Sequence, residues 1–114
     1  MKRGNKRIFG RQRQQRKAFI KSLLTALFSH GRIKTTLARA KTLKTEADKT
    51  ITQAKRQSIA SRRLLLRKVG AEVARKLSVE IAPRFADRKG GYTRVVRLGR
   101  RTNDAAETAL IELV

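Results

Sequence analysis

LARAKTLKTEADKTITQAK, residues 37–55, carries the clearest periodicity in the chain. Leu37, Ala40, Leu43, Ala47, Ile51 and Ala54 follow one another at gaps of three and four. A helix over about residues 37–56 therefore gathers all six on one stripe and turns its charges away from it. Thr36, just before it, supplies a hydroxyl that can accept a backbone N–H at the helix start. RIKTT, residues 32–36, is too short and too β-branched to extend a helix and reads as an extended link or short strand. Upstream, from Gln14 to His30, Phe19 and Leu23 stand four apart and Ala26 and Leu27 follow Leu23 at three and four, flanked by Ile20, Leu24 and Phe28. Gly31 follows as the C-cap of that helix.

Downstream, Ser58 is placed to cap a helix whose apolar surface comes from Leu64, Leu65, Leu66 and Val69, with Gly70 ending it. A further helix takes Ala71 to about Ala82, burying Val73, Leu77 and Ile81, and Pro83 is expected to close it. Past Gly90 and Gly91 the pattern changes. YTRVVRLG, residues 92–99, reads as a strand, RRTNDA as a loop and AETALIELV, residues 106–114, as a second strand. The two pair most simply as an antiparallel hairpin over the helices, giving an α+β domain with a small sheet covered on one face.

The 114 residues suit one compact domain and a short extension. With 39% hydrophobic and 4% aromatic residues the core should be aliphatic and small. Thirty Lys and Arg against eight Asp and Glu leave a formal charge of +22, enough self-repulsion to disfavour the compact state unless a polyanion screens it. The first acid is Glu46, so the amino-terminal part carries most of the field. The opening MKRGNKRIFGRQRQQRK holds eight cations and no anion, with too little apolar surface to order its backbone unaided. The absence of cysteine excludes disulfides, Cys-ligated zinc and thiolate catalysis. No apolar run approaches the roughly twenty residues of a membrane span, and the basic start lacks the apolar core of a secretion signal. The chain reads as a mature, soluble protein.

Enzymatic constellations are missing. Glu46 and Asp48, the only close pair of carboxylates, diverge by about 200° on a helix and are better read as ion-pair partners of Lys44 or Lys49. His30, the lone histidine, makes neither a triad nor a metal site and serves at a helix end as a dipole contact or a nucleic-acid contact. Gly90-Gly91 precedes a strand, where a phosphate-cradling loop precedes a helix; it reads as a tight turn, alone or with phosphate contacts from Arg88, Lys89 and Arg94. Charges such as Arg39, Lys41, Lys49 and Lys55 are individually solvated-face residues. Phe19, Phe28, Phe85 and Tyr92 are assigned to the core by default, while Phe9, in the basic extension, either wedges against RNA or docks on its own domain.

IKTTLARAKTLKTEADKTITQAK, residues 33–55, closely resembles the signature of the seventeenth protein family of the bacterial large ribosomal subunit. Ile33, Thr35, Thr36, Arg39, Ala40, Lys41, Asp48, Ile51, Thr52, Ala54 and Lys55 stand at that family's spacing. The resemblance continues in RKAF (16–19), SRR (61–63), PRFADRKGGYTRVVRLGRR (83–101) and the closing IELV. It departs at Arg3 or Gly4 and at Gln15, where the family often has histidines, so RNA contacts there are expected to differ; relatives also often run on beyond the position of Val114.

The resemblance implies a structural protein bound to large-subunit ribosomal RNA near the rim of the peptide exit tunnel, in the cytoplasm, beside other large-subunit ribosomal proteins. It needs no cofactor, metal, membrane or small-molecule substrate, and no catalytic residue. It also implies a third strand near residues 32–36, making a small mixed sheet against about four helices. On this reading residues 1–13 form a basic RNA-binding extension and residues 14–114 a single domain. The expected RNA contacts are Lys2, Arg3, Lys6, Arg7, Arg11 and Arg13 in the extension. Arg16, Lys17, Arg32, Lys34, Arg39, Lys41, Arg62 and Arg63 follow over the first helices and the link. Arg84, Arg88, Lys89, Arg94, Arg100 and Arg101 complete the set. The rivals are a free nucleoid or DNA-binding protein, with the helical region in a major groove, and an RNA-processing enzyme, for which clustered acids are lacking.

Overall fold

Thr36 switches the chain from strand to helix. It ends a β-branched run in extended geometry (φ −73°, ψ 154°), and its Oγ1 accepts the Arg39 backbone N–H at 3.3 Å, satisfying one of the unpaired donors of the new helix. The computed structural model describes residues 13–102 and 104–114, with side chains from Gln15 onward. Its elements run α1 Arg13–His30, β1 Arg32–Thr36, α2 Leu37–Lys55, α3 Ile59–Val69 and α4 Ala71–Lys76. A π-helical segment Leu77–Ile81, a last turn α5 Ala82–Arg84, β2 Thr93–Arg100 and β3 Glu107–Leu113 complete the order.

Helix α2 is the hub, packing against α1, α3, α5, the π segment and all three strands. All six stripe residues are buried, and Thr50 joins them with its hydroxyl donating to the Glu46 carbonyl at 2.7 Å, which keeps its donor satisfied on leaving water. Ala40, Ala47 and Ala54 recur every seven residues and are 0–1% exposed, which lets neighbouring elements approach the α2 backbone closely. From α1, Leu24, Leu27 and Phe28 are fully buried, while Phe19, Leu23 and Ala26 of the expected stripe are only half-buried. The inward face of α1 is thus rotated towards residues first read as flanking. Gly31 ends α1 with φ 84°; its N–H donates to Leu27 O and its carbonyl accepts from Leu113 N, so one residue closes the helix and opens the sheet.

The strand order is β1-β3-β2, with both pairings antiparallel. The mixed sheet anticipated from the sequence is therefore antiparallel throughout: β1 and β2 do run parallel, but β3 lies between them. Ile33, Ile111 and Val95 form one row across the sheet on the face that meets α2. The expected hairpin is present, with a bulge at Leu98 where the register slips between Arg97 and Gly99.

Ser58 caps α3 as expected, its Oγ accepting Ser61 N–H at 3.0 Å. Of the leucine run only Leu65 is buried. Consecutive helix positions lie about 100° apart, so Leu64 and Leu66 fall outside the core and are 45% and 46% exposed. In the next helix Val73, Leu77 and Ile81 are buried as the period required. Pro83, expected to close that helix, sits inside its last turn instead. The proline ring would clash with the carbonyl four residues back in a regular α-helix, and the wider π turn over Leu77–Ile81, with Ala82 N–H reaching Leu77 O, provides the room.

Candidate nucleic-acid interface

Half of the acids that could neutralise the cations are taken up in ion pairs of the protein's own. Asp48 accepts from Lys44 at 3.3 Å and from the Thr93 hydroxyl at 3.0 Å, while Lys44 also donates to Thr93 O at 2.7 Å, so this pair ties α2 to the start of β2. Glu46 points the other way, to Lys68 of α3 at 3.5 Å, and not to Lys49 on its own helix. The two carboxylates diverge as the helix geometry requires. Glu112 holds Arg94 across the hairpin at 2.8 Å. Asp104 accepts from Ala106 N–H and from two Arg101 nitrogens, contacts that hold its carboxyl below the usual aspartate range, the backbone bond being the largest cause. Among the described residues, no three acids or histidines gather where a metal could sit.

Most of the expected contacts are surface side chains. Lys17, Arg32, Lys34, Arg39, Lys41, Arg62, Arg63, Arg84, Arg88, Lys89, Arg94, Arg100 and Arg101 are exposed, and Arg16 is half-buried. Lys2, Arg3, Lys6, Arg7, Arg11 and Phe9 lie outside the described residues, as does the side chain of Arg13. The outer face of the sheet brings three of the set together. Arg32 and Arg94 flank Glu112 in one register row, and Lys34 stands in the next but one, opposite Leu110 and Val96. At the crossing of α1 and α2, Arg39 lies over the Phe19 ring, 4.9 Å from its centroid. Two others spend their charge internally: Arg84 donates to the Val114 carbonyl at 2.6 Å and lies over the Phe85 ring, and Arg101 holds Asp104. His30 is exposed in the last turn of α1.

Lys55 is the residue whose role differs most from a solvated-face charge. It is only half-exposed, and its ammonium donates to the Arg88 carbonyl and, at 3.1 Å, to the Tyr92 hydroxyl, which in turn donates to Arg88 O at 3.2 Å. Burial pushes the Tyr92 phenol up, but hydrogen bonds from Lys55 and Thr52 and the Lys55 charge outweigh it, so the phenol lies below its ordinary 10.0. Tyr92 stacks at a tilt on Phe85, 5.3 Å between centroids. The whole group pins the turn that carries Arg88, Lys89 and Gly90, with Gly91 at φ 62°, and a strand follows. The sequence reading of a tight turn at Gly90-Gly91 is met only as a bend at Gly90: among the described residues no backbone hydrogen bond closes across the two glycines, and the hydrogen-bonded turn lies just before them, with Arg88 N–H on Phe85 O at 3.0 Å. The sequence had no signal for the Lys55 clamp beyond its place in the motif, because its partners are 33 and 37 residues away.

Three more cations, Lys49, Arg56 and Lys68, line an open groove between α2 and α3 and were not among the expected contacts. Two of them could have been found, since Lys49, Gln53 and Arg56 recur at a gap of four and then three and must share a face. Among the described residues no helix is long and apolar enough to cross a membrane.

The family described as Ribosomal protein L17 matches residues 19–114. The chain is similar to the large ribosomal subunit protein bL17 of Halothermothrix orenii, 50% identical over 109 residues that cover 95% of this chain and 96% of that protein. It is 52% identical to bL17 of Dictyoglomus thermophilum over 88% of this chain and 87% of that protein. Identity to bL17 of Clostridium botulinum is 46%, over 95% and 96% of the two chains.

Proposed function

The chain belongs to the ribosomal protein L17 family, structural constituents of the large subunit and not enzymes, and from that premise we propose that it binds and stabilises large-subunit ribosomal RNA near the rim of the peptide exit tunnel. Its place is accordingly the bacterial cytoplasm, within the large subunit and beside other large-subunit proteins. One observation carries the RNA contact: exposed cations stand on α1, both outer strands, α2, α3 and the turn before β2, while four of the eight acids are already paired with the protein's own cations. Charge presented on several surfaces suits a folded polyphosphate that surrounds the protein better than a single duplex groove. The basic residues 1–13 add a segment with six cations, no acid and little apolar surface, and belong to the same binding function.

The test is filter binding of the full chain to deproteinised large-subunit ribosomal RNA and to duplex DNA of equal phosphate content, over a range of salt. Tighter binding to the RNA, with log affinity falling by about 0.7–0.9 per phosphate contact for each decade of salt, supports the proposal. Equal or tighter binding to the duplex DNA would favour the nucleoid reading and end this one.

A further inference from the structure

The groove between α2 and α3 is open, about 530 Å³ in volume, and built from two helical edges and a turn. Lys49 and Gln53 line it from α2, with Arg56 at that helix's C-cap; Leu64 and Lys68 line it from α3, and Gly90 closes its lip. Its three cations face one lining acid, Asp48, whose carboxylate oxygens already accept from Lys44 and Thr93. Lys68 leans on Glu46 at 3.5 Å, which leaves Lys49 and Arg56, both exposed, with no acid within ion-pair distance among the described residues. Beside this positive wall stands Leu64, an exposed leucine that the core does not need.

We infer that this groove holds one strand of the ribosomal RNA, with phosphodiesters on Lys49, Arg56 and Lys68 and an adjoining ribose or base edge against Leu64. The inference rests on the RNA-binding reading above and deepens it by naming where a single strand sits. Three features select this occupant. A volume within the range of small-molecule sites accommodates a nucleotide, whereas a duplex needs a broad surface. The net positive lining calls for an anion. An apolar side chain next to the cations fits the alternation of sugar or base with phosphate along a nucleic-acid strand. The turn that forms the lip is held by the Lys55 clamp, so Gly90 is positioned before RNA arrives and little ordering is left to the binding step.

The chain contains no cysteine, so a single one introduced at the groove is a unique probe. In the Leu64→Cys chain the thiol should alkylate freely in the free protein and at least about tenfold more slowly once large-subunit ribosomal RNA is bound. A photoreactive group on it should crosslink to RNA. Thr52→Cys, exposed on the opposite wall, repeats the measurement if the first variant folds poorly. The Lys49→Ala/Arg56→Ala chain should lower the magnitude of the salt slope by about 1.4–1.8 for the two contacts removed. Unchanged alkylation at both positions in a complex that filter binding shows to be formed would overturn the groove assignment alone. So would crosslinking to a neighbouring protein in assembled subunits. Failure of the unmodified chain to bind the RNA would overturn the RNA-binding reading, and the groove assignment with it.

Discussion

Ala47 offers the sharpest test of the packing, because the same substitution can be made on both faces of one helix. Ala47 is 0% exposed at the middle of the α2 stripe, whereas Ala38, in the first turn of the same helix, is exposed. Ala47→Asp places a carboxyl where no water or cationic partner is provided, so the side chain must bind a proton to stay inside. Holding an aspartate neutral at pH 7 against its ordinary value of about 3.9 costs roughly 4 kcal/mol, and partial relaxation brings the expected loss to about 2–4 kcal/mol. The folded-state pKa is raised, so the folded chain binds a proton that the unfolded chain has released. The penalty should therefore shrink by about 1.4 kcal/mol for each pH unit between 7 and 5. Ala38→Asp puts the same charge at the positive end of the helix, whose first turn carries no acid, and should be neutral or stabilise by about 0.3–1 kcal/mol. Both variants lower the net charge equally, so relief of self-repulsion cancels between them. Urea unfolding at pH 7 and pH 5 in moderate salt reads both effects. A loss below about 1 kcal/mol for Ala47→Asp, or equal losses at the two sites, would refute the assignment of the buried face.

Ser58→Ala should cost about 1 kcal/mol in thermal or urea unfolding, since it removes the oxygen that receives Ser61 N–H and the hydroxyl that donates to Ser61 Oγ. Tyr92 is the only tyrosine and tryptophan is absent, so the ultraviolet signal of tyrosinate reports this residue alone. Its midpoint should lie below 10.0, and Lys55→Met should move it up. Because the folded phenol ionises more readily than the unfolded one, it adds stability only at alkaline pH, fully so above about 10, and that gain is lost as pH falls through the folded value. Deleting residues 1–13 should leave the unfolding midpoint nearly unchanged and flatten the salt dependence of RNA binding by about 0.7–0.9 for each phosphate the extension no longer neutralises; an unchanged slope would remove the extension from the binding function.

Local chemistry was legible where it acts over one or two turns. The α2 stripe, the Thr36 and Ser58 caps, the glycine ends and the hairpin all depend on neighbours within a few residues, and each is where its spacing placed it. What escaped depends on distance. The run Leu64-Leu65-Leu66 offers three apolar side chains to a core that takes one, and only the packing of α3 on α2 selects Leu65. Glu46 has a helical neighbour of opposite sign in Lys49, yet pairs with Lys68, 22 residues on. The π turn before Pro83 has no compositional mark. For the interface, the cationic character was plain from the charge count, but which cations are free was not. Arg84 and Lys55 turned out to serve the fold, while Lys49 and Arg56 turned out to line a groove.

The placement of β3 between β1 and β2 has a consequence for how the molecule is made. Ribosomes synthesise Arg32–Thr36 and Thr93–Arg100 before Glu107–Leu113, yet neither early strand has a hydrogen-bonding partner until that later one arrives. Helices α1 to α4 can assemble as they emerge, because their contacts are close in the chain, whereas closing Arg32 onto Glu112 spans most of its length and comes late. In that interval the nascent protein holds two strands unpaired on both edges, and the Arg and Lys side chains along them oppose their joining other chains.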